Sequence, residues 1–135
     1  MNSFNHWAFG AVGGWMVRHI LGFQPDDAHP GWVRFRIHPR PGGGVTWARG
    51  HYDSPCGRIV SDWRQGGDGR EFTLRVTIPP NTTAEVFLPS DDAARLREGD
   101  RAAESVVGVR RLRSGAGETV LEVASGGYEF TVLPR

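Results

Sequence analysis

Turn-forming residues divide most of this chain into short segments in which apolar and polar residues alternate. The 135 residues include 19 glycines and 9 prolines, and both residue types interrupt helices and favour turns. Alternation with a period of two is typical of a β-strand that has one buried face. The clearest case is residues 72–78, in which Phe72, Leu74, Val76 and Ile78 are predicted to point inward. The sequence therefore predicts a mainly β protein.

The alternating segments begin after residue 31, and about eight of them are separated by turn signals. They cover residues 33–37, 45–52, 58–64, 72–78, 83–88, 105–112, 119–123 and 128–133. Short strands at this spacing predict an antiparallel β-sandwich, jelly-roll-like, over residues 32–135. In the first strand Val33, Phe35 and Ile37 are predicted to be buried, whereas Trp32 falls on the opposite, exposed phase. Residues 79–81, Pro-Pro-Asn, are expected to end the fourth strand.

The residues before position 25 have a different pattern, which predicts a single N-terminal α-helix. Apolar residues recur at steps of three and four, the spacing of one helical face; they are Phe4, Trp7, Ala8, Ala11, Trp15 and Met16. Ser3 is the expected N-cap and Gly22 the expected C-terminal stop. Three glycines inside a helix cost about 1 kcal/mol each relative to alanine, so we expect a large partner to lie against Gly10, Gly13 and Gly14. Residues 25–31 form the predicted linker.

Composition and charge exclude several classes of function. All sixteen basic residues are arginine and the net charge is +1, too low to attract nucleic acid. No apolar run reaches the ~18 residues of a membrane span, so we expect no membrane partner. No signal peptide is visible, which predicts a cytoplasmic location unless the chain was cut from a longer protein. Cys56 has no second cysteine to pair with and lies in a predicted turn.

Candidate metal ligands and catalytic groups are few. The histidines at positions 19, 29, 38 and 51 do not follow the spacings of structural zinc sites, so we expect no metal and no cofactor and interpret these histidines as solvated. Glu85, Glu122 and Glu129 fall on the polar phase of predicted strands, and Glu98 and Glu104 fall in polar loops. Solvated positions account for all of these carboxyl groups.

Two stretches of the sequence resemble a known enzyme family. Residues 2–15, N-S-F-N-H-W-A-F-G-A-V-G-G-W, are similar to a helix late in the catalytic domain of bacterial α-L-rhamnosidases, where tyrosine is more usual at the position of Trp7. Residues 53–57, D-S-P-C-G, and 79–84, P-P-N-T-T-A, resemble two motifs of the C-terminal β-sandwich of the same family. Cys56 stands where that family often has tyrosine.

The resemblance implies that the chain is a C-terminal fragment without catalytic residues. The family uses an (α/α)₆ barrel and two carboxyl groups for inverting hydrolysis, and both glutamates would lie upstream of this chain. Residues 1–24 would then be the terminal helix of a missing barrel. In an intact parent enzyme His6, Asn5 and Trp7 would line the sugar-binding pocket. The catalytic barrel is accordingly the first expected partner.

Two other functions stay open at this stage. Trp32, Trp47, Tyr52 and Trp63 lie on early strands, and exposed aromatic rings could form a carbohydrate-binding surface, although Trp63 shares the buried phase of Ile59. An exposed row of two or more aromatics would favour an autonomous carbohydrate-binding module. The apolar helix could instead form a homo-oligomer, or fold back on the sandwich, because an apolar stripe must be buried on something.

Overall fold

A computed structural model describes residues 7–134 of the chain, apart from the side chain of Phe9. Helix α1 is Trp7–Trp15, and a π-helical segment, Met16–Ile20, continues it. The strands in the described range are β1 Phe23–Pro25, β2 Arg34–Ile37, β3 Trp47–Ser54, β4 Gly57–Gln65, β5 Phe72–Leu88, β6 Leu96–Glu98, β7 Arg101–Ala102, β8 Val109–Gly115 and β9 Glu118–Val132. Short 3-10 helices lie at Ala93–Arg95 and Ala103–Ser105. The predicted N-cap Ser3 and the apolar Phe4 lie outside the described residues.

The strands form a sandwich in which β5 and β9 belong to both layers. Residues 72–78 of β5 pair with residues 126–132 of β9, and this first sheet runs β3-β4-β5-β9-β6-β7. Residues 83–88 pair with residues 119–124, and this second sheet runs β1-β2-β5-β9-β8. The register of the β5–β9 pair shifts between Ile78 and Thr83, where both strands pass from one sheet to the other. The predicted mainly β sandwich with one N-terminal helix is confirmed.

One strand pair departs from the predicted antiparallel arrangement. Strand β2 runs parallel to residues 83–86 of β5, whereas the other pairs of named strands in the described range are antiparallel. Parallel neighbours need a long connection between them. Here the β3–β4 hairpin and the first half of β5 all lie in the other sheet, and they supply that connection.

Two predicted strand ends are wrong, because the chain bends there and continues. The predicted stop at residues 79–81 is a bend inside β5, where Asn81 has a φ of +59° and the Thr82 hydroxyl donates to the Pro79 carbonyl at 2.8 Å. The predicted strands 119–123 and 128–133 are likewise two halves of β9. The alternation of apolar and polar residues cannot distinguish a bend within a strand from the end of a strand, since both interrupt the period of two.

The first predicted strand starts one residue later than its pattern indicates. Phe35 and Ile37 are buried as predicted, but Val33 is 49% exposed and the strand begins at Arg34. Trp32 has a φ of +64°, and this left-handed backbone turns its ring into a half-buried position against Tyr52, at a centroid distance of 4.5 Å. The predicted exposure of Trp32 is therefore wrong.

The core is one continuous cluster between the sheets, with Trp63 as its largest side chain. Its other fully buried members include Phe35, Ile37, Ile59, Leu74, Val76, Ile78, Val86, Leu88, Leu96, Leu121 and Phe130. Both halves of β5 and β9 contribute to it, so neither sheet has a core of its own. No helix within residues 7–134 is long and apolar enough to cross a membrane.

Candidate functional site

Helix α1 carries apolar side chains that the sandwich does not cover. Trp7, Val12 and Trp15 of α1 are 81%, 58% and 56% exposed, and Met16, the first residue of the π-helical segment, is 47% exposed. Together these four residues define what we call the α1 surface. A Cβ atom placed on Gly10, Gly13 or Gly14 would meet no atom of the described chain within 4 Å outside the helix backbone. A helix of this length is marginal in water. The partner that the three glycines predict is therefore not part of residues 7–134.

The segment that joins α1 to the sandwich is held firmly. The indole Nε1 of Trp63 donates to the Ile20 carbonyl at 2.7 Å, and the backbone N–H of His38 donates to the Gly22 carbonyl at 2.9 Å. Leu21 lies directly over Gly50, where a Cβ atom would come within 2.4 Å of its Cδ1. The chain thus leaves the core at a fixed position between β2 and β4.

A cleft of about 450 Å³ lies at the junction between the helical segment and the loop before β3. It is lined by Trp15, His19, Ile20, Arg40, Gly42, Gly43 and Val45. The rings of Trp15 and His19 lie 5.4 Å apart, and the Arg40 N–H donates to the His19 carbonyl at 3.2 Å. This cleft continues the α1 surface onto the sandwich. The two together form an apolar surface with a few polar groups at its base, which is comparable to the apolar core and polar rim of a protein interface.

A second cavity, of about 520 Å³, lies on the outer side of the second sheet. The imidazole of His38 stacks on Phe87 with ring centroids 4.1 Å apart, and its Nε2 lies 3.3 Å from a Glu118 carboxylate oxygen. The guanidinium of Arg113 lies over the same Phe87 ring at 5.4 Å. His38 is thus half-buried rather than solvated, a correction to the sequence interpretation. No sequence pattern signals it, because β2 and β5 bring His38 and Phe87 together across 49 residues.

The carboxylates on the strands are paired with arginines rather than placed as an acid and a base. Glu85 accepts from Arg36 at 3.3 Å, and Glu129 accepts from Arg75 at 2.6 Å. Glu122 lies between Arg34 and Arg110, and the hydrogen bond from Arg110 is the main reason why its pKa falls below the usual value. A general acid needs a raised pKa. The pKa shifts resolved for carboxyl groups within residues 7–134 are all downward.

The two carboxyl groups predicted to lie in loops also have protein partners. Glu104 pairs with Arg111 at 3.3 Å, and an Oε1 of Glu98 accepts from the Glu129 N–H at 3.5 Å. Among residues 7–134, no three histidine, cysteine, aspartate or glutamate side chains lie close enough to hold a metal ion.

Comparison with known proteins assigns the family. The profile of the bacterial α-L-rhamnosidase C-terminal domain matches residues 22–103. The α-L-rhamnosidase of Streptomyces avermitilis is 42% identical over 132 residues, which is 98% of this chain. The chain belongs to the bacterial α-L-rhamnosidase C-terminal domain family. The domain spans only 12% of the length of that relative.

Solved structures agree with this assignment of the domain. It superposes on the crystal structure of the Streptomyces avermitilis α-L-rhamnosidase, complexed with L-rhamnose, with a TM-score of 0.82 and 40% identity over 98% of this chain and 12% of that one. The α-L-rhamnosidase of Dictyoglumus thermophilum gives a TM-score of 0.80 and 28% identity over 97% of this chain and 14% of that one. The resemblance seen in the sequence motifs is thereby confirmed.

The residues predicted to line the sugar-binding pocket lie at the first position of the described range or before it. Asn5 and His6 lie outside the described residues. Trp7 is the first residue of α1, and its side chain is largely exposed. Their role in binding substrate in an intact parent enzyme stays a prediction, as do the boundaries at residues 24 and 31.

His38 should make the stability of the domain depend on pH. Burial is the main reason why its pKa lies below the ordinary value of 6.5, although Glu118 acts in the opposite direction. Below pH 6.5 the unfolded chain therefore binds more protons at His38 than the folded domain does, so His38 contributes a loss of stability as the pH falls. We expect the urea midpoint to fall less between pH 7.5 and pH 5 in His38→Gln than in the wild type. Trp47→Ala, which removes an exposed side chain and no titratable group, should show the pH dependence of the wild type; equal pH dependence in all three proteins would contradict this prediction.

Proposed function

We propose that this domain is an accessory module of an α-L-rhamnosidase-like glycoside hydrolase, that it carries none of the catalytic carboxylates, and that it packs on the catalytic barrel through the α1 surface. The proposal is carried by the apolar helix α1. Its base is held firmly on the sandwich, but nothing within residues 7–134 packs against its three glycines. The module would fix the position of α1, which we propose to be the terminal helix of that barrel.

The ion pairs on the strands support a structural rather than a catalytic role. Arg36–Glu85 and Arg75–Glu129 each neutralise a carboxylate that an acid–base pair would need. An inverting hydrolase also needs two carboxyl groups about 6.5–9.5 Å apart in a cleft. The cleft at the base of α1 contains His19 and Arg40 but no carboxyl group among its lining residues.

The alternative function, an autonomous carbohydrate-binding module that uses a row of exposed aromatic residues, has weaker support than the accessory module. Among the strands of the described range, Trp47 is the aromatic residue with a largely exposed side chain, at 62%. Trp32 and Tyr52 are half-buried against each other, and Trp63 is fully buried as predicted. A homo-oligomer formed through α1 remains a prediction, as does the cytoplasmic location.

The test of the proposed function is hydrolysis of a chromogenic α-L-rhamnoside by the purified chain. We expect no turnover above buffer, and the same result for His6→Ala, because the acid and base would both be missing. Turnover by the wild type that His6→Ala abolishes would show that the chain has its own catalytic groups, and the proposal would then be wrong.

Hydrogen exchange on the same sample tests the packing role. We expect the amides of α1 to exchange rapidly and those of β4 slowly, because the sandwich of the described range leaves the α1 surface exposed and a helix of this length is marginal without packing. Slow exchange of α1 in a monomeric sample would mean that the helix folds back on the sandwich. That result would contradict docking on a barrel even if no turnover were seen.

A further inference from the structure

The outer face of the first sheet carries a row of side chains in direct cross-strand register. Trp47 of β3 lies opposite Arg64 of β4, which lies opposite Thr73 of β5. Thr73 lies opposite Thr131 of β9, which lies opposite Arg97 of β6. Directly opposed residues point to the same face of an antiparallel sheet. We call these five residues the cross-strand row.

The arginines of this row differ from those of the row beside it. In the neighbouring row Arg49 pairs with Asp62 at 3.8 Å, and Arg75 pairs with Glu129 at 2.6 Å. Arg64 and Arg97, by contrast, form no ion pair with any residue between 7 and 134. The cross-strand row thus has two uncompensated positive charges on a face whose other charges are mostly neutralised.

The shape of the face suits an extended ligand. Strands in a sheet lie about 4.8 Å apart, so the four intervals from Trp47 to Arg97 cover about 19 Å. A cavity of about 290 Å³ lies along this course and is lined by Asp62, Arg64, Thr73 and Arg75. Trp47, 62% exposed, stands at one end of the row and presents its ring to solvent.

We propose that the cross-strand row binds an acidic oligosaccharide of about four sugar units. The choice of a saccharide as the ligand rests on the proposed role of the domain in a glycoside hydrolase. The Trp47 ring offers a stacking surface for one sugar ring. Arg64 and Arg97 each bind a carboxylate, for which the planar guanidinium has matching donors. The hydroxyls of Thr73 and Thr131 and the carboxylate of Asp62 hydrogen-bond sugar hydroxyls.

A saccharide fits this face better than a nucleic acid does. Single-stranded nucleic acids are bound by several aromatic rings along a positively charged groove, whereas the row contains one aromatic residue. Asp62 lines the cavity, and its carboxylate can accept hydrogen bonds from the hydroxyl groups in which a saccharide is rich.

The cross-strand row lies on the face of the first sheet opposite to the one that holds the base of α1. Trp63, which holds the base of the helix, precedes Arg64 in β4 and is buried, so it points to the opposite face of the sheet. Gly50, which contacts Leu21, likewise has the opposite phase to Trp47 in β3. The segment that holds the base of α1 and the cross-strand row are therefore on opposite faces of the first sheet.

Titration of the full chain with tetragalacturonate, followed by calorimetry, tests the proposal. We expect saturable binding that Arg64→Ala and Arg97→Ala each weaken by about ten-fold, as the loss of one charge-assisted contact predicts. The matched control is Arg58→Ala, an exposed arginine of β4 that pairs with Asp53 outside the row; its affinity should stay within about two-fold of the wild type, as for a surface position outside the site.

The possible results separate this proposal from its rivals. Failure of tetragalacturonate to bind, or equal binding by all three variants, would overturn it, as would equal affinity for a neutral glucose tetrasaccharide. Tighter binding of an oligothymidylate would assign the row to nucleic acid instead. None of these results depends on turnover of a rhamnoside or on exchange in α1, so the proposed function could stand if this site failed.

Discussion

Replacing Trp63 with alanine should lower the free energy of unfolding by about 3–5 kcal/mol, the usual range for removing a buried tryptophan. The side chain is fully buried and is the largest in the core. Its indole also donates to the Ile20 carbonyl at 2.7 Å, so the substitution leaves that acceptor without its partner. Urea unfolding followed by circular dichroism would measure the loss.

Trp47→Ala is the matched control, because Trp47 lies in the strand paired with β4 but has the opposite phase. Its side chain is 62% exposed, and substitutions at such positions usually change stability by less than about 0.5 kcal/mol. Equal losses in the two variants would mean that the alternation of β3 and β4 is assigned to the wrong faces. A second effect is specific to Trp63: the amides of residues 16–22 should exchange faster, since the base of α1 is released.

The substitution Gly22→Ala should lower the free energy of unfolding about as much as Trp63→Ala does, for a different reason. Gly22 has a φ of +85°, a conformation that costs an alanine about 1–2 kcal/mol. The added Cβ would also lie 2.3 Å from the carbonyl carbon of His38 and 2.4 Å from the nitrogen of Pro39. These are backbone atoms that cannot rotate away, and overpacking of this kind costs about 1–3 kcal/mol more.

Gly43→Ala separates the cost of the backbone conformation from the cost of overpacking. Gly43 has a φ of +59°, but nothing lies within 4 Å of its added Cβ, so only the backbone cost of about 1 kcal/mol is expected. The urea midpoint of Gly22→Ala should therefore fall well below that of Gly43→Ala. Equal midpoints would contradict the close approach of Gly22 to the backbone at the end of β2. They would therefore also contradict the fixed position of the base of α1.

The local features of the fold could be predicted from the sequence because they depend on neighbouring residues. The alternation of residues 72–78 identifies a strand and its buried face, and the Ser54–Gly57 turn identifies the β3–β4 hairpin, where the Ser54 hydroxyl donates to the Gly57 carbonyl at 2.8 Å. Gly22 was predicted to end the helix, and its positive φ agrees with that role. In each case a short stretch of chain contains all the information that the prediction needs.

The features that sequence reasoning missed depend on contacts between distant residues. The parallel pairing of β2 with residues 83–86 follows from the order of strands in space, which alternation does not encode. The half-buried position of His38 depends on Phe87. The cross-strand row needs the register of five strands before Arg64 and Arg97 can be recognised as neighbours along one line.

The candidate docking site was predicted in part. Glycines inside an apolar helix indicated an absent partner, and the exposed α1 surface has the form that such a partner requires. The cleft beside Arg40 and Val45 was not predicted, because the loop that forms it contains three successive glycines with positive φ. Such a loop has no periodicity from which its path could be inferred.

The shared strands have a consequence for biosynthesis. Strand β9 follows all the strands that it joins, and it lies between β5 and β6 in one sheet and between β5 and β8 in the other. Until β9 has been translated, both sheets are split into separate parts with exposed edges, which are prone to aggregation. We therefore expect the two sheets to close only after residues 118–132 have been translated, which makes the completion of the fold a late event in synthesis.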